Sequence, residues 1–489
     1  MADPRHALQS TFDESRRFAH YGEALLQLHI KGFRNHANTP LRIESPISAL
    51  CGVNGTGKST VLQLAAAAYQ GTAELRYYIS SFILAGNLDA KPFRDDASVE
   101  FSYADPPASG GAYPERKLTV SRSGSSWAGY DRQPRRQVLY LGSGFYLPHS
   151  ERDSRYKELF ADSNFLLRSR TLIDAQVLTW VSKILLCTYD EAHQNEMRKK
   201  YARRNTQLVS ARRQGGVAYS EANMGAGEAR LYALVTSIES IPEKSLVLIE
   251  EPETALHPCA QFEFGKYLVE AAMRRKLQII LTTHSEYVLL ALPQKSRVYL
   301  KREATGVLPI NGIGVRQAVS MMDGLAIPAI YILVEDDVGE AIVTQLLRKH
   351  DADFLRTARI VVAGDKNQIR QMMEVFDDQK IPICAVRDAD CGVDEGMKVF
   401  KLFGKEAPEK EIFASPTFRK QFDQQHGVDW NAVDVINKDR GHHGWFDVLE
   451  THTAYKRPEL LALAAKAYLE GVSEAERLSL IGRIKASIP

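Results

Sequence analysis

The sequence has little cysteine and no long apolar run. Its 489 residues include only five cysteines, which are scattered and form no C-x-x-C pair. A disulfide framework and a cysteine zinc site are therefore not expected, and isolated thiols favour a reduced, cytoplasmic protein. The longest apolar stretches, such as residues 326–334, are far shorter than the roughly 20 residues of a membrane-spanning helix. An integral membrane protein is therefore excluded, and no membrane partner is predicted.

The sequence also lacks a net charge of either sign. There are 62 Lys and Arg residues against 60 Asp and Glu residues, which leaves a formal charge of +2. Any basic surface must therefore be local. The hydrophobic share of 44% and the charged share of 25% are ordinary for a globular protein and exclude a wholly disordered chain. The length suggests about two to four domains.

A glycine-rich loop in the N-terminal part predicts a nucleotide site. Residues 52–59 fit G-x-x-x-x-G-K-[ST], with an apolar strand before them and a helix after them. In this motif backbone N–H groups surround the phosphates, the lysine reaches the β- and γ-phosphates, and the last hydroxyl binds Mg²⁺. A chance glycine-rich loop is the alternative. The predicted ATP–Mg²⁺ residues are Asn54, Gly55, Gly57, Lys58, Ser59 and Thr60.

Two later strands end in polar side chains that suit the same site. The apolar run 245–249 leads into Glu250, expected to hold Mg²⁺, and Glu251, expected to accept a proton from the attacking water. The run 278–282 precedes His284, which could contact the γ-phosphate or position that water. The alternatives are an acidic loop at the end of a buried strand and a purely structural histidine.

A pair of glycines opens a helix upstream of the acidic strand. Gly225 and Gly227 lie in the segment 224–231, and they would expose backbone N–H groups at a helix N-terminus, which suits an anion. A simple helix cap is the alternative.

Taken together and in this order, these motifs resemble the ABC-type ATPases of the SMC/RecF/OLD group. The similarity extends roughly over residues 25–310, and residues 255–258 are similar to the D-loop of OLD-type members. The resemblance implies dimers of ATPase heads, in which the signature segment of one subunit completes the phosphate site of the other. Two features depart from the family: Gly225 stands where the signature usually has serine, and the glutamine loop is not identified.

A second pattern begins near residue 330. Strands and helices alternate as β-α-β-α-β up to residue 386, which predicts a parallel sheet. Ligands bind at the carboxyl ends of such strands, and acidic residues follow two of them. Carboxylates without cysteine or histidine suit Mg²⁺ or Mn²⁺, which can activate water against a phosphodiester. A solvated acidic loop is the alternative. These acidic residues are Glu335, Asp336, Asp337, Asp388 and Asp390.

This arrangement is similar to a Toprim domain, and an ABC-type head followed by a Toprim domain is the layout of the OLD family. The resemblance implies Glu335, Asp388 and Asp390 as metal-binding and catalytic residues. The glycine that usually follows the glutamate is Asp336 here, and the later acid of that motif is shifted to Glu340 or absent.

Weaker candidates surround the second site. Asp365 is either a further ligand or a helix cap. Lys438, with Lys398 as a rival, could stabilise a developing phosphate charge. The pair His442–His443 near Trp445 could form a metal site or a stacking platform, and a loop with exposed polar residues is the favoured interpretation.

The resulting fold class is α/β. An N-terminal ABC-type ATPase head has an antiparallel β lobe and a helical insertion, and a C-terminal parallel α/β Toprim domain follows. The expected division is a flexible N-terminus over 1–22, the ATPase domain over 23–323 with the insertion at about 151–220, the Toprim domain over 324–455, and C-terminal helices over 456–489.

Local clusters of positive charge are the sequence features that bear on partners. The segment 197–204, with Arg212 and Arg213, concentrates positive charge that on a helix could follow a phosphate backbone, and 132–136 is a weaker example. A solvated charged face is the alternative. Nucleic acid, with DNA favoured over RNA, and a homo-oligomer built on head dimers are the expected partners, together with a possible second defence-system protein or RNA.

The predicted function is an ATP-regulated, divalent-metal-dependent endonuclease of OLD type, acting in anti-phage defence. Its cofactors are ATP and Mg²⁺, with Mn²⁺ possible at the second site. One alternative is an ATP-switched sensor or scaffold with a degraded Toprim domain, which holds or releases a partner. Another is a DNA-repair ATPase without nuclease activity.

Overall fold

The chain forms two compact units, residues Met1–Ala318 and Val319–Pro489. The computed structural model describes residues 4–71, 76–84, 88, 92–108, 112–124, 126–142, 144, 165–199, 206–323, 328–378, 380–420, 428–438, 441–453 and 455–488.

The centre of the first unit is a six-stranded sheet of order β15-β14-β3-β13-β12-β7. Its strands are parallel except for the antiparallel pair β14–β15. Every residue of β3 and β13 is buried, as expected for strands covered on both faces. The strands are β3 (Ile47–Cys51), β7 (Val138–Leu141), β12 (Leu246–Glu250), β13 (Gln278–Thr282), β14 (Arg297–Glu303) and β15 (Gly306–Asn311).

A five-stranded antiparallel sheet of order β2-β1-β4-β5-β6 forms the expected β lobe. Alternating apolar side chains such as Leu28, Ile30 and Phe101 are buried in the core of the first unit. The strands are β1 (Leu25–Phe33), β2 (His36–Arg42), β4 (Phe93–Ala104), β5 (Glu115–Ser123) and β6 (Ser126–Ala128).

The N-terminus differs from the flexible segment expected over 1–22. Residues Pro4–Ser10 form helix α1 and Glu14–Tyr21 form helix α2. Leu8, Phe12 and Tyr21 are buried. The polar composition of this segment gave no indication that three of its apolar residues are buried. Their burial stabilises helices α1 and α2 against the rest of the fold.

The expected helical insertion at about 151–220 is wrong for the part that the structure describes. Residues 165–199 and 206–220 form a four-stranded antiparallel sheet of order β11-β10-β9-β8, together with helix α5 (Ala175–Ile184). Charged residues pair across these strands. Arg212 lies opposite Glu191 on the neighbouring strand, and its Nε is 3.3 Å from Oε1 of Glu191. Residues 151–164 lie outside the described residues. The strands are β8 (Phe165–Leu172), β9 (Tyr189–Lys199), β10 (Thr206–Arg213) and β11 (Ala218–Ser220).

The proposed basic helix over 197–204 falls in this sheet. Its first residues, 197–199, end strand β9, and residues 200–205 lie outside the described residues. The guanidinium groups of Arg212 and Arg213 form ion pairs with Glu191 and Glu228. The described members of this basic set, residues 197–199, Arg212 and Arg213, therefore lie in strands and not on a helix.

The remaining helices of the first unit frame its central sheet. Helix α3 contacts β7, β12 and β13, and α7 contacts β3 and β13. The helices are α3 (Lys58–Ala66), α4 (Ile79–Phe82), α6 (Ala226–Ser240), α7 (Pro258–Arg274) and α8 (Glu286–Ala291), with α9 (Val315–Asp323) at the junction of the two units.

The second unit is built on a four-stranded sheet of order β17-β16-β18-β19, parallel throughout. This confirms the parallel α/β fold expected here. The strands are β16 (Ile330–Val334), β17 (Ala358–Val362), β18 (Ile383–Arg387) and β19 (Val399–Lys401).

Helices make up much of the rest of the second unit. The last two, predicted as separate C-terminal helices, share one hydrophobic core with the sheet, because Leu460 and Ile484 pack in the same cluster as Ile332. The helices are α10 (Asp337–His350), α11 (Ala352–Thr357), α12 (Lys366–Asp378), α13 (Pro408–Ala414), α14 (Trp430–Lys438), α15 (Trp445–His452), α16 (Arg457–Glu470) and α17 (Glu474–Ala486).

Among the described residues, no helix has both the length and the apolar character needed to cross a membrane.

Candidate functional sites

The glycine-rich loop joins β3 to α3 in a conformation that requires its glycines. Gly52, Gly55 and Gly57 have φ of 142°, 77° and 89°, which L-residues rarely adopt. A Cβ atom on Gly52 would lie 2.6 Å from the carbonyl oxygen of Leu300, and one on Gly57 would lie 2.3 Å from Nε2 of His36. The loop is therefore fixed by close backbone contacts as well as by its own turns.

The loop also holds the lysine of the motif. Nζ of Lys58 donates hydrogen bonds to the carbonyl oxygens of Gly52 (2.8 Å) and Val53 (3.2 Å). The side chain is only 7% exposed, and burial lowers the pKa of Lys58, although the charge of Glu251 opposes this effect. The ammonium group is thus pre-positioned at the loop. Of the other predicted residues, Asn54, Gly55 and Ser59 are exposed and Thr60 is buried.

Asn35 in the β1–β2 turn and His36 at the start of β2 support the loop and were not found from the sequence. Nε2 of the buried His36 donates to the carbonyl oxygen of Gly57 at 3.1 Å, and Asn35 donates through its side-chain amide to Gly55. Burial lowers the pKa of His36, so the ring is neutral at pH 7. Neither residue belongs to a recognisable motif, because the contact is tertiary.

The acidic residues and the histidine lie at the ends of the neighbouring strands β12 and β13. The hydroxyl of Tyr140 donates to Oε1 of Glu250 at 3.0 Å. Glu251 has a φ of 44° and its backbone N–H donates to the carbonyl oxygen of Thr282 at 3.1 Å. Nε2 of His284 lies 3.8 Å from Oε1 of Glu251. The structure therefore brings the predicted general base and the predicted histidine together.

Glu253 is a further residue of this edge that the motif analysis did not select. Its Oε1 accepts a hydrogen bond from the backbone N–H of His284 at 2.7 Å, and its Oε2 is buried without a hydrogen-bond partner among the described residues. Burial raises the pKa of the Glu253 carboxyl. The Glu253 carboxyl therefore links the loop after β12 to the turn after β13 and fixes the backbone position of His284.

The two glycines of the signature-like segment have different surroundings. Gly225 precedes helix α6 as its N-cap, and a Cβ atom there would meet nothing within 4 Å. A Cβ atom on Gly227 would lie 2.2 Å from the carbonyl oxygen of Ala255, in the loop after β12. Only Gly225 therefore leaves open space at this helix N-terminus, whereas Gly227 allows α6 to approach that loop.

Helix α6 is tied to the strand insertion through Glu228. This buried carboxylate accepts hydrogen bonds from the hydroxyls of Tyr189 (2.7 Å) and Tyr219 (2.6 Å) and from Nη2 of Arg213 (2.8 Å). The first turn of α6 is therefore fixed by the sheet that contains β9, β10 and β11.

In the second unit, the predicted carboxylates gather at one sheet edge. Glu335 follows β16 and Asp388 follows β18, and the two strands are parallel neighbours. However, Nε of Arg387 donates to Oε1 of Glu335 at 2.7 Å, and both side chains are largely buried. Asp390 is exposed. Arg387, which neutralises Glu335, was missed because it reads as the last residue of an apolar strand.

Asp388 has other close neighbours than those expected. Carboxylate oxygens of Asp336, Asp388 and Glu409 lie within 4.8 Å of one another. Asp388 is 6% exposed and Glu409 is 1% exposed. Burial raises the pKa of Asp388 to about 8, with smaller contributions from the charges of Asp336, Glu335, Glu409 and Asp390. Glu409 lies in the first turn of helix α13, outside the sheet.

Several weaker candidates take structural roles. Asp365 caps α12, because its Oδ1 accepts from the backbone N–H groups of Asn367 (2.8 Å) and Gln368 (3.0 Å). Lys398 donates to the carbonyl oxygen of Ser487 at 3.3 Å, and Lys438 lies at the exposed end of α14.

Residues of the weaker basic segment and the histidine pair are placed as well. Arg136 binds the side chains of Tyr69 (3.0 Å) and Gln278 (2.8 Å), which makes it part of the fold. His443 lies beside Glu409, at 3.0 Å from its Oε1. The histidine pair is therefore adjacent to the acidic edge and is not an isolated polar loop.

Comparisons with known proteins identify the type of the first unit. Residues 108–291 match a family model described as "AAA domain, putative AbiEii toxin, Type IV TA system", and residues 27–177 match one described as "AAA domain". The first unit is thus similar to AAA/ABC-type ATPase domains, which supports ATP hydrolysis and a requirement for ATP with Mg²⁺.

Individual relatives are more distant. The chain is 26% identical over 296 residues to Protein ea59 of Escherichia phage lambda, which covers 54% of this chain and half of the relative's length. Among solved structures, the SMC head domain from Thermotoga maritima aligns with a TM-score of 0.36 and 16% identity, over 59% of this chain and 98% of that chain.

An Smc head domain derived from Pyrococcus furiosus, bound to the C-terminal domain of ScpA, aligns with a TM-score of 0.37 and 12% identity, over 58% and 95% of the two chains. An SmcHead bound to the C-winged helix domain of ScpA gives 0.37 and 14%, over 59% and 98%. Scores this low support no conclusion about the chain.

The raised pKa of Asp388 predicts how the second unit responds to pH. An unfolded aspartate has a pKa near 3.9, whereas that of Asp388 is about 8 in the fold. The folded state therefore holds the proton more tightly, and stability is lost as pH rises through this interval. Without metal, Asp388→Asn is expected to raise the free energy of unfolding at pH 8 by at least about 1 kcal/mol, or about 2–4 °C in melting temperature.

Scanning calorimetry in EDTA at pH 5 and pH 8 measures this effect, and the gain should grow with pH. Asp390→Asn is the control, because Asp390 is exposed and its loss should leave the melting temperature unchanged. A less stable Asp388→Asn protein at pH 8 would show that a cation or another partner already neutralises the carboxylate.

Proposed function

We propose that the chain is an ATP-regulated, divalent-metal-dependent endonuclease of OLD type, in which the first unit is the ATPase and the second a Toprim-type nuclease. The observation that carries this proposal is the position of Glu335 and Asp388 at the carboxyl ends of two adjacent parallel strands, after an ATPase domain in the same chain. That sheet edge is where ligands bind in open α/β folds.

In the ATPase, the chain's own groups fit ATP with Mg²⁺. Lys58 supplies a positive charge for the β- and γ-phosphates, and Ser59 and Glu250 supply oxygens for Mg²⁺. Glu251 acts as the general base, held near His284, which positions the attacking water. The exposed N-terminus of α6 at Gly225 would contact the phosphates of a second copy, so the active form is a dimer of ATPase heads.

In the nuclease, buried carboxylates would hold Mg²⁺ or Mn²⁺ and the substrate is a phosphodiester, with DNA favoured over RNA. Such a cation supplies an activated water and neutralises charge on the phosphate. A cytoplasmic role in anti-phage defence, alone or with a second protein or RNA, fits the matched domain that is described as a putative toxin of a type IV system.

A second candidate is an ATP-switched sensor or scaffold whose nuclease site is degraded. One observation favours it: Arg387 forms an ion pair with Glu335 at 2.7 Å, so that an expected metal ligand is already neutralised. In this alternative the ATPase would control the release of a partner, and the second unit would contribute only its surface. A DNA-repair ATPase without nuclease activity would likewise leave the second unit without chemistry.

The test is incubation of the full chain with supercoiled plasmid and Mg²⁺ or Mn²⁺, with and without ATP. Metal-dependent nicking is expected, and it should be absent in Asp388→Ala, while Lys58→Ala shows the direction of ATP control. Exposed Asp365→Ala, which changes a helix cap, is the matched aspartate control and should keep nicking. Intact plasmid, intact single-stranded DNA and RNA, and tight co-purification of another protein would instead favour the sensor.

A further inference from the structure

The acidic edge of the second unit contains five carboxylates, which differ in their ion pairs and in their exposure to solvent. Two of them have arginine partners: Arg387 pairs with Glu335, and Arg457 pairs with Asp337 at 2.6 Å. Asp390, a third, is exposed to solvent. The remaining two, Asp336 and Asp388, have no ion pair with an arginine or a lysine among the described residues.

Glu409, from outside the sheet, adds a third carboxylate that has no arginine or lysine partner among the described residues. It lies in the first turn of α13 and is 1% exposed. Its Oε2 is buried and has no hydrogen-bond partner among the described residues, while its Oε1 lies 3.0 Å from Nδ1 of His443. A buried carboxylate oxygen without a partner is costly, unless a cation or proton compensates it.

Asp336 also has one oxygen available for a ligand. Its Oδ1 accepts the backbone N–H of Gly339 at 2.9 Å, as the N-cap of α10, and its Oδ2 lies 3.7 Å from Nδ1 of His443. The side chain is thus held by the cap in a fixed orientation. The residue that replaces the usual glycine of the motif therefore contributes an oriented oxygen at the centre of the cluster.

We propose that the second unit binds one hard divalent cation, Mg²⁺ or Mn²⁺, through Asp336, Asp388 and Glu409, and not through Glu335, Asp388 and Asp390. This rests on the proposed function, since it specifies the metal site of the nuclease. The three carboxylates lie within 4.8 Å of one another. Two oxygens bound to one Mg²⁺ at about 2.1 Å lie at most about 4.2 Å apart, so a small side-chain adjustment closes the site.

In this arrangement the neighbouring residues have positioning roles. His443 contacts two of the three ligands, and its hydrogen bond orients Glu409 as second-layer partners orient ligating carboxylates elsewhere. Arg387 holds Glu335 beside the cation site and keeps that glutamate from binding the same ion. The ligand set contains only carboxylate oxygens, which favours Mg²⁺ or Mn²⁺ over zinc or copper.

The experiment measures Mn²⁺ binding to the nucleotide-free full chain by electron paramagnetic resonance of the free ion, so that ATP contributes no metal. Glu409→Gln and Asp336→Asn should each raise the Kd for Mn²⁺ by at least about tenfold. The matched control Asp390→Asn, at an exposed aspartate, should change it by less than about twofold. Melting curves without metal verify that each variant is folded, and Asp336→Asn provides a second test if Glu409→Gln is not.

The outcomes separate this inference from the proposed function. Loss of binding in Asp390→Asn equal to that in Glu409→Gln overturns the inference and leaves a metal-dependent nuclease in place. Absence of Mn²⁺ binding in the unmodified protein removes both. Plasmid nicking that survives in Glu409→Gln with unchanged Mn²⁺ affinity also overturns the inference alone.

Discussion

Replacement of Lys58 with alanine is expected to reduce ATP hydrolysis by at least about 100-fold. Lys58 is 7% exposed, and its ammonium group is held by the carbonyl oxygens of Gly52 and Val53, where nucleotide phosphates would meet it. A hydrogen bond to a charged group contributes about 1.5–3 kcal/mol, and each 1.36 kcal/mol is about a factor of ten in rate. Loss of two such bonds to phosphate oxygens therefore gives a reduction of this size.

Release of inorganic phosphate at saturating ATP measures the rate, and a fluorescent nucleotide measures binding separately. Lys117→Ala is the matched control, since this lysine is more than half exposed in the β lobe. It should keep the full rate. If Lys58→Ala hydrolysed ATP as fast as the unmodified chain, the glycine-rich loop would not be the phosphate site.

The central elements of both units could be predicted because their strands are continuous apolar runs. Gln278–Thr282 and Ile330–Val334 are buried on both faces, and such a run between turns reads as a parallel strand. Residues that follow neighbouring parallel strands meet at the same edge of the sheet. This rule alone places Glu251 near His284, and Glu335 near Asp388. Topology alone therefore predicted which motif residues would share an edge.

The residues that topology does not bring together could not be predicted in this way. His36 supports the phosphate loop from the first residue of a strand in another sheet. Glu409 approaches Asp388 from a helix outside the sheet. Both contacts depend on how elements pack, which leaves no periodic signal in the sequence. The prediction of a helical insertion was wrong for a related reason. The charged residues of this segment suggested helical faces, whereas pairs such as Arg212–Glu191 form across strands.

Substitution of Gly227 with alanine is expected to destabilise the first unit by about 2 kcal/mol, although alanine normally stabilises a helix interior. At an ordinary helical position the same change gains about 0.5–1 kcal/mol. Here the new Cβ atom would lie 2.2 Å from the carbonyl oxygen of Ala255. Ala255 itself has a φ of 64°, so its loop has little freedom to move away. Overpacking of this kind typically costs about 1–3 kcal/mol.

Gly225→Ser is the matched control in the same segment, and the two changes should have opposite signs. A Cβ atom at Gly225 meets nothing within 4 Å, its φ of −64° suits any L-residue, and serine is a better N-cap than glycine by a few tenths of a kcal/mol. Denaturant unfolding of the nucleotide-free chain measures the stability of both variants.

Because α6 and the loop after Glu251 would separate in Gly227→Ala, ATP hydrolysis should fall with stability. In Gly225→Ser, hydrolysis should be kept or increased, because a serine hydroxyl can contact a phosphate in the dimer. Equal stability of the two variants would mean that α6 does not depend on its contact with Ala255.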